Sequence, residues 1–485
     1  MHPFIGISLG ASDVHIGYLT QSGVPASMRN AEGEMATPMA VWFEGPGKVT
    51  TGRTAKWMQG VAADVYVEFL RDMDNYVVHE TPYGSFTPSD LCGLLLRDVM
   101  SNIRQTSGET SDLTLTVSPS LSDAARSNIT RAATLAMIGN FRVIDDTIAE
   151  AIYLRQRYGL KDGRYLTVKF GSGSSDATVF EVSGHDLRIL SSSGAQRLGQ
   201  IDIMAKFEEL ICQKYLQSAG ESISTAELYP KCMLTRWDLE QAMTTLVSRE
   251  KASVRANLDR GTIHLEITRQ ELAAVLQPIV LQGESMIESA IDLAKLSAEH
   301  LDGTFLSASS LSLHLLTELM IKITRKSPSD CPEAAAALGA ALYSAAKAEK
   351  EKLTCAQQGA IASTNVQLIA PSFLGIHEFD QEAWKLQNRV LIPKGEPIPT
   401  SRSIPLTANE SGVTPEIVIT EAHRPETDVD FVTSVLTLAP TRARPGSKHT
   451  LTVGFDQNGC IYARLKSDDR GDEHSGYLEP APRKR

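Results

Sequence analysis

Ile5-Gly6-Ile7-Ser8-Leu9-Gly10-Ala11-Ser12-Asp13 opens the chain, and Lys169-Phe170-Gly171-Ser172-Gly173-Ser174-Ser175-Asp176 repeats its pattern. Each stretch is an apolar strand that runs into a turn of small residues, and a second apolar strand follows. A hairpin of this kind allows backbone N–H groups to approach a phosphate closely. The repeat therefore predicts two similar halves facing a cleft, which is the usual place for a nucleotide. The candidate phosphate contacts are Gly10, Ser12, Gly171, Gly173, Ser174 and Asp176.

The residue just before each turn argues against nucleotide hydrolysis. In a phosphate hairpin an acid at this position would hold Mg²⁺ through water, but the chain has Ser8 and Lys169 there. We therefore expect no bound metal and no catalytic residue. Two interpretations of Lys169 stay open. In the first interpretation, Lys169 contacts a phosphate directly in place of Mg²⁺. In the second, it is a structural cation that pairs with Asp146 or Asp176.

Composition narrows the class of protein. Of the 485 residues, 42% are hydrophobic and 22% are charged, as in ordinary soluble domains, and a net charge of −11 argues against direct nucleic-acid binding. Six cysteines without a C-x-x-C spacing indicate core thiols in a reducing compartment. The first strand has no basic targeting segment before it, and the longest small apolar run, 334–346, is too short for a membrane helix. We expect a cytoplasmic protein without membrane contact.

The alternation of strands and helices predicts a mixed α/β part that extends to residue 352. Its first lobe covers about 1–160, its second lobe about 161–325, and a closing helix 332–350. A linker, 353–365, then leads to a small antiparallel β-sandwich over 366–485, because short apolar strands there are separated by Pro and Gly. The other predicted helices are 87–107, 122–140, 147–158, 200–217, 224–232, 235–259, 268–300 and 311–325.

These segments, taken in order, resemble the heat-shock protein 70 (DnaK-type) family over nearly the whole chain. The resemblance implies a two-lobed, actin-like ATPase fold followed by a small antiparallel β-sandwich, without a helical lid. The stretches that carry it are Ile5–Ser12 (the first phosphate loop), Leu115–Pro119 ("TVPA"), Ile144–Ala151 ("INEPTAAA"), Lys169–Asp176 ("DLGGGTFD"), Arg197–Asp202 ("LGGEDFD"), Glu333–Ala341 ("DEAVAYGAA") and Ile392–Pro399 ("IPRNTTIPT").

The resemblance also implies further nucleotide contacts and shows where this chain departs from the family. Gly199, Glu250 and Gly339 stand at further nucleotide-binding positions, although Glu250 is all that remains of the family's adenosine helix. The departures are Ser8 and Lys169 for two acids, Asp146 for a longer acid, and Leu70 or Arg71 for the catalytic lysine. Phosphoryl transfer depends on positioned charge and metal. We therefore predict no ATP hydrolysis, while ATP binding stays open.

Within the family, the chain resembles the atypical, lidless Hsp70-like subunit of the ribosome-associated complex (Ssz-type). The linker lacks the family's acidic-leucine run, and the chain ends at residue 485. This resemblance implies a non-catalytic co-chaperone in protein folding with a J-domain partner. Such a pair meets the ribosome and nascent chains indirectly and stimulates an active Hsp70 chaperone. Two alternatives stay open: an ATP-binding chaperone with residual ATPase activity, and an actin-fold scaffold unrelated to folding.

Overall fold

The computed structural model describes residues 4–74, 77–108, 112–258, 261–308, 310–362, 364–380, 384–414, 416–422, 432–438, 444–456, 459–467 and 473–477. The helices in these ranges are α1 (Gly52–Trp57), α2 (Pro88–Ser107), α3 (Asp123–Leu135), α4 (Asp146–Tyr158), α5 (Gln200–Ala219), α6 (Thr225–Cys232), α7 (Arg236–Ser248), α8 (Arg269–Leu293), α9 (Ser310–Thr324), α10 (Ala335–Ala346) and α11 (Cys355–Ile361).

The strands fall into three groups along the chain. The first group is β1 (Phe4–Leu9), β2 (Asp13–Leu19), β3 (Pro25–Ser27), β4 (Ala36–Pro38), β5 (Ala40–Gly45), β6 (Lys48–Thr51), β7 (Val65–Val67), β8 (His79–Thr81), β9 (Gly84–Phe86), β10 (Leu113–Val117) and β11 (Phe141–Asp145). The second group is β12 (Gly163–Phe170), β13 (Ser174–Ser183), β14 (Asp186–Gln196), β15 (Lys251–Leu258), β16 (Gly261–Thr268), β17 (Gly303–Ala308) and β18 (Ser329–Asp330). The third group is β19 (Asn365–Gln367), β20 (Phe373–Asp380), β21 (Lys385–Ile392), β22 (Thr400–Thr407), β23 (Ile417–Ala422), β24 (Val432–Leu438), β25 (Lys448–Phe455), β26 (Ile461–Ser467) and β27 (Glu473–Tyr477).

The chain divides into two compact units. Unit 1 comprises 1–162, 180–192 and 334–485. Its first sheet has the order β11-β10-β1-β2-β3, in which β1 pairs in parallel with β10 and antiparallel with β2. All six residues of β1 are buried, as expected for a strand covered on both faces. The hydrophobic core of this unit includes side chains of β1, α2 and α3.

Unit 2 comprises 163–179 and 193–333. In its sheet, β17 pairs in parallel with both β12 and β18, and β12 is also a neighbour of β13. Strands β15 and β16 form a separate antiparallel hairpin, and helices α5 to α9 complete the unit. This combination of hairpin, parallel strands and helices confirms the predicted mixed α/β class.

The C-terminal β domain, which we define as the described residues from 366 onward, lies in unit 1. It consists of two four-stranded antiparallel sheets with the orders β21-β20-β23-β24 and β22-β25-β26-β27. Among the described residues, no helix follows Ile361, and no helix is both long and apolar enough to cross a bilayer. The predicted small antiparallel β-sandwich is confirmed.

The predicted starts of α2 and α3, each preceded by a capping residue, are confirmed. Thr87 caps α2, and the side chain of Asp90 accepts a 2.8 Å hydrogen bond from the Thr87 N–H, so that both halves of a capping box are present. Ser122 caps α3 by accepting a 3.2 Å hydrogen bond from the Ala125 N–H. These starts depend on residues close together in the chain, and the sequence therefore shows them.

Three predicted helix ends are wrong. Helix α3 ends at Leu135 and not near residue 140, because Met137 has φ 56° and leaves the helical region. The helix predicted over 268–300 ends at Leu293. The helix predicted over 235–259 ends at Ser248, and β15 follows it. The segment 353–365, predicted to be a linker, contains α11, whose capping residue Thr354 donates a 2.8 Å hydrogen bond to the Gln21 carbonyl.

Candidate functional site

The two glycine turns of the sequence repeat have the same local geometry. In the first turn, the Gly10 N–H donates a 2.9 Å hydrogen bond to the carbonyl of Asp13. In the second, the Gly171 N–H donates a 3.0 Å hydrogen bond to the carbonyl of Ser174. A Cβ at Gly10 or Gly171 would lie 2.9 Å or 3.0 Å from that same carbonyl oxygen. In each turn a Cβ at the first position would therefore press against the carbonyl that accepts the turn hydrogen bond.

In unit 1, the structure brings Ser8 and Asp146 together beside the first turn. Ser8 Oγ donates a 3.4 Å hydrogen bond to Asp146 Oδ1, and Thr116 Oγ1 donates to the same oxygen. All three side chains are buried. Ser8 and Thr116 are direct partners in the parallel pairing of β1 with β10, and Asp146 begins α4. The carboxylate therefore lies at a helix N-terminus, where the helix dipole favours negative charge.

This set of side chains differs from a magnesium site. Mg²⁺ in nucleotide enzymes is usually held by one or two carboxylates and several waters in octahedral geometry. Here two hydroxyl groups donate to one oxygen of the Asp146 carboxylate, and Ser8 places a neutral hydroxyl where the sequence analysis expected an acid. The described residues contain no group of three or more His, Cys, Asp or Glu side chains placed to hold a metal. The residues beside the first turn do not fit an acid-held divalent cation.

The position predicted for a catalytic lysine falls on a short 3-10 turn, Phe69–Asp72. Leu70 is buried there in the hydrophobic core of unit 1. Arg71, the other candidate, is half-buried on the same turn. Leu70 therefore packs in the hydrophobic core, and Arg71 is the positively charged side chain of this turn.

In unit 2, the start of α5 is bonded to the second turn. The N–H groups of Gln200 and Ile201 donate to the carbonyls of Gly171 and Ser172 over 3.1 Å and 2.9 Å. A Cβ at Gly199 would lie 2.4 Å from the Ser172 carbonyl oxygen. Only glycine permits this approach without displacing the turn. The structure thus brings Gly199 together with the second turn.

The two charged positions of the second turn lie on adjacent strands of unit 2. Lys169 is half-buried near the end of β12, where its backbone pairs with that of Ser307 on β17. Asp176 is almost fully buried on β13, with 1% of its surface exposed. A cation and an acid therefore flank the turn formed by Gly171, Gly173 and Ser174.

Glu250 does not lie on a helix, although the sequence predicted a helix over 235–259. Helix α7 ends two residues earlier at Ser248, and the helix expected over 235–259 does not exist in this form. The Glu250 side chain is 81% exposed, and its Oε1 lies 3.0 Å from Nη1 of Arg269. The resemblance of Glu250 to the family's adenosine helix therefore depended on a predicted helix that in fact ends before residue 250. Position 309 and the side chains of 310–315 lie outside the described residues.

Gly339 lies in the interior of unit 1. A Cβ at this position would lie 1.7 Å from the carbonyl oxygen of Ala149, because α10 packs directly against α4. No side chain larger than hydrogen fits at this distance. The structure therefore gives Gly339 a packing role between two helices.

Two groups near the start of α4 were not predicted from the sequence: Thr116, which donates to Asp146, and Arg126, which pairs with Asp145. Thr116 supplies the second hydroxyl, and only the structure shows that it is the strand partner of Ser8. Arg126 forms a buried ion pair with Asp145, the residue before Asp146. Burial acts to lower the pKa of Arg126, but the carboxylate of Asp145 reverses this and the net shift is upward. Nothing in the sequence of α3 identified the acid that faces Arg126.

Comparison with known protein families matches residues 62–464 to the family described as "Hsp70 protein". Among curated proteins, the chain is 23% identical to the chaperone protein DnaK of Thermosipho melanesiensis over 487 residues. It is also 23% identical to the chaperone protein DnaK of Thermotoga maritima over 488 residues. Each alignment covers 97% of this chain and 79% of the relative.

Proposed function

The chain belongs to the Hsp70 protein family, and from this premise we propose that it is a non-catalytic member that acts as a co-chaperone subunit. Its partner is a J-domain protein, and the pair assists an active Hsp70 chaperone on nascent chains at the ribosome. In this proposal the two lobes are retained as a scaffold and not as an ATPase. Two kinds of observation support this function: the family fold, and the side chains of Ser8, Thr116 and Asp146 beside the first turn.

The hydrogen bond from Ser8 to Asp146 is the observation that carries the proposal. In the family that this chain resembles, an acid precedes the first turn. Here a neutral hydroxyl occupies that position and donates 3.4 Å to the remaining acid. Replacing an acid with a hydrogen-bond donor removes the negative charge that would hold Mg²⁺ and adds a partner for Asp146. Since positioned metal and charge supply most of phosphoryl-transfer catalysis, this exchange favours a structural role.

Nucleotide binding without turnover is a second candidate, and a specific observation favours it. Gly10 and Gly171 retain the same turn hydrogen bond at equivalent positions. Backbone turns of this kind can bind phosphate without a metal. The half-buried cation Lys169 stands beside the second turn and would add positive charge there. Under this candidate the protein binds ATP and releases it unchanged.

A single-turnover assay with Mg-ATP separates a non-catalytic protein from a working ATPase. We expect no hydrolysis above background from the wild-type chain or from Asp176→Asn. An active Hsp70 chaperone, assayed in parallel, shows that the conditions support turnover. Hydrolysis at the rate of that control, abolished in Asp176→Asn, would contradict the proposed loss of catalysis.

Affinity purification of the tagged, full-length protein tests the partner. We expect a J-domain protein in stoichiometric amount and ribosomal proteins in the same eluate. Nuclease treatment should remove the ribosomal proteins and leave the J-domain protein, since the proposal makes ribosome contact indirect. Recovery of cytoskeletal proteins without a J-domain protein would favour the scaffold alternative.

A further inference from the structure

A large cavity lies among four helices of unit 2. It has a volume of about 730 Å³, and its lining comes from α5, α7, α8 and α9. Cavities that hold a small molecule usually measure about 300–1,000 Å³. We call it the α8 cavity, because α8 contributes most of its described lining. The α8 cavity is therefore large enough to hold a complete small ligand.

The interior of the α8 cavity is largely apolar. Leu272, Leu276 and Val280 recur every four residues along α8 and therefore lie on one face of this helix. Leu276 is buried, and the other two are half-buried. The buried apolar lining residues of the other helices are Ile203, Met243 and Leu246. Such walls favour the apolar body of a ligand, because binding then removes apolar surface from water.

A proline inside α8 changes a backbone group in the wall of the cavity. Pro278 has no N–H, so the hydrogen bond that residue 278 of a regular helix would donate to the Ala274 carbonyl is missing. Ala274 is exposed and lines the α8 cavity. A carbonyl oxygen has two lone pairs, and this one therefore retains the capacity to accept a hydrogen bond from a ligand.

The charged groups of the lining favour a cationic ligand over an anionic one. Arg269 is the one cation among the described lining residues, and its guanidinium already has protein partners. Its Nε and Nη2 donate 2.9 Å and 3.3 Å hydrogen bonds to the carbonyls of Leu246 and Val247, and its Nη1 lies 3.0 Å from Oε1 of Glu250. Glu318 is exposed on α9 and also lines the cavity. A carboxylate has about four acceptor positions, so Glu318 can bind a ligand in addition to a partner within the protein.

We propose that the α8 cavity binds a small apolar ligand that carries an amine, of the arylalkylamine class. The apolar body of the ligand packs against the face of α8 that presents Leu272, Leu276 and Val280. The amine is a cation with N–H donors, and it binds the acceptors of the wall, which are the carboxylate of Glu318 and the carbonyl of Ala274.

The α8 cavity is separate from the two glycine turns. None of its described lining residues belongs to either turn. The phosphates of a nucleotide would need a cation, and the guanidinium of Arg269 is already bound to two carbonyls and to Glu250. The proposed ligand is therefore not a nucleotide, and its binding does not depend on Ser8 or Lys169.

Fluorescence titration of the full-length protein with three naphthalene probes tests the ligand class. The probes are 1-naphthylmethylamine, which is a cation with N–H donors, 1-methylnaphthalene, which has the apolar body alone, and 1-naphthylacetate, which is an anion. We expect saturable binding of the amine at one site per chain, and binding of the acetate that is weaker by about tenfold or more. Binding of the acetate as tight as that of the amine would overturn the proposed ligand class.

Two tryptophan variants locate the binding site. Ala273→Trp adds a large side chain at an exposed position of α8 that lines the cavity, and it should abolish binding of the amine. Ala226→Trp is the matched control, because it adds the same side chain at an exposed position of α6, which does not contribute to the described lining. It should bind the amine like the wild type.

A charge variant tests the recognition of the amine and gives a second test if Ala273→Trp does not fold. Glu318→Gln removes the negative charge of the wall and should lower the affinity for the amine by about tenfold. The affinity for 1-methylnaphthalene should stay unchanged. No saturable binding of the amine to the wild type, binding that persists in Ala273→Trp, or an unchanged affinity for the amine in Glu318→Gln would overturn the proposal.

Discussion

Ser8 donates a hydrogen bond to Asp146 from 138 residues away in the chain, and the hydroxyl of Thr116 donates to the same carboxylate oxygen. Two neutral hydroxyl groups therefore donate to one oxygen of a buried carboxylate beside the first turn. A buried carboxylate needs such partners, because burial without them is costly. The two hydroxyl donors therefore stabilise the buried carboxylate of Asp146.

Restoring an acid at position 8 should destabilise the protein. Ser8→Asp places a second carboxylate against Asp146 where only 3% of the side chain is exposed, and an uncompensated buried charge typically costs about 3–5 kcal/mol. Urea denaturation of Ser8→Asp, with Ser8→Asn as the neutral control, measures this loss. If Ser8→Asp is as stable as wild type without Mg²⁺, the interior tolerates two acids and this account of Asp146 is wrong.

Restoring an acid at position 169 should lower the melting temperature without creating activity. Lys169→Asp exchanges a half-buried cation for a carboxylate on the strand next to the one that carries Asp176. Like charges on adjacent strands repel each other. Lys169→Met, which loses the cation without adding an acid, is the control and should lose less stability. Thermal melts with and without Mg-ATP measure both effects. Stabilisation of the wild type by Mg-ATP would show that a nucleotide pocket still works.

Adding a methyl group at Gly339 should be strongly destabilising. Its Cβ would lie 1.7 Å from the carbonyl oxygen of Ala149, and overpacking of a rigid core costs about 1–3 kcal/mol or more. The control is Gly359→Ala in α11, where a Cβ would meet nothing within 4 Å. That change should be neutral or stabilise the protein by up to about 1 kcal/mol. Equal effects of the two substitutions in chemical denaturation would contradict the packing role of Gly339.

Loss of Arg126 should cost far more stability than loss of Arg131 on the same helix. Arg126 is 2% exposed and pairs with Asp145, so its removal leaves a buried acid without its cation and should cost about 3–5 kcal/mol. Arg131 forms a 3.4 Å ion pair with Asp90 at the surface, with 57% of its side chain exposed, and such pairs contribute about 0–1 kcal/mol. Denaturation midpoints of Arg126→Met and Arg131→Met measure the difference. Similar losses would show that the buried pair is not structural.

Strand β15, which was predicted as part of a helix, has a local signal in the sequence. In β15, residues Ala252, Val254 and Ala256 are buried, and Lys251, Ser253 and Arg255 alternate with them on the exposed face. This alternation is typical of a half-buried strand. The prediction of one long helix over 235–259 overlooked it, and the misplacement of Glu250 followed from that error.

The sequence by itself determined the features that depend on neighbours in the chain. Small residues specified the two turns at Gly10 and Gly171, and the cap at Thr87 specified the start of α2, because each of these hydrogen bonds closes within four residues. The order of such segments was enough to identify the fold.

Only the tertiary structure decided which distant groups meet. The hydrogen bond from the Ile461 N–H to Asp123 Oδ1 joins residues 338 positions apart, and the packing of Gly339 against Ala149 joins two helices from separate parts of the chain. Such contacts depend on how sheets and helices stack, and one residue's identity does not specify the atom it will face. The physical reason is that burial changes the free energy of a charge or a methyl group by several kcal/mol, and burial is a property of the folded chain.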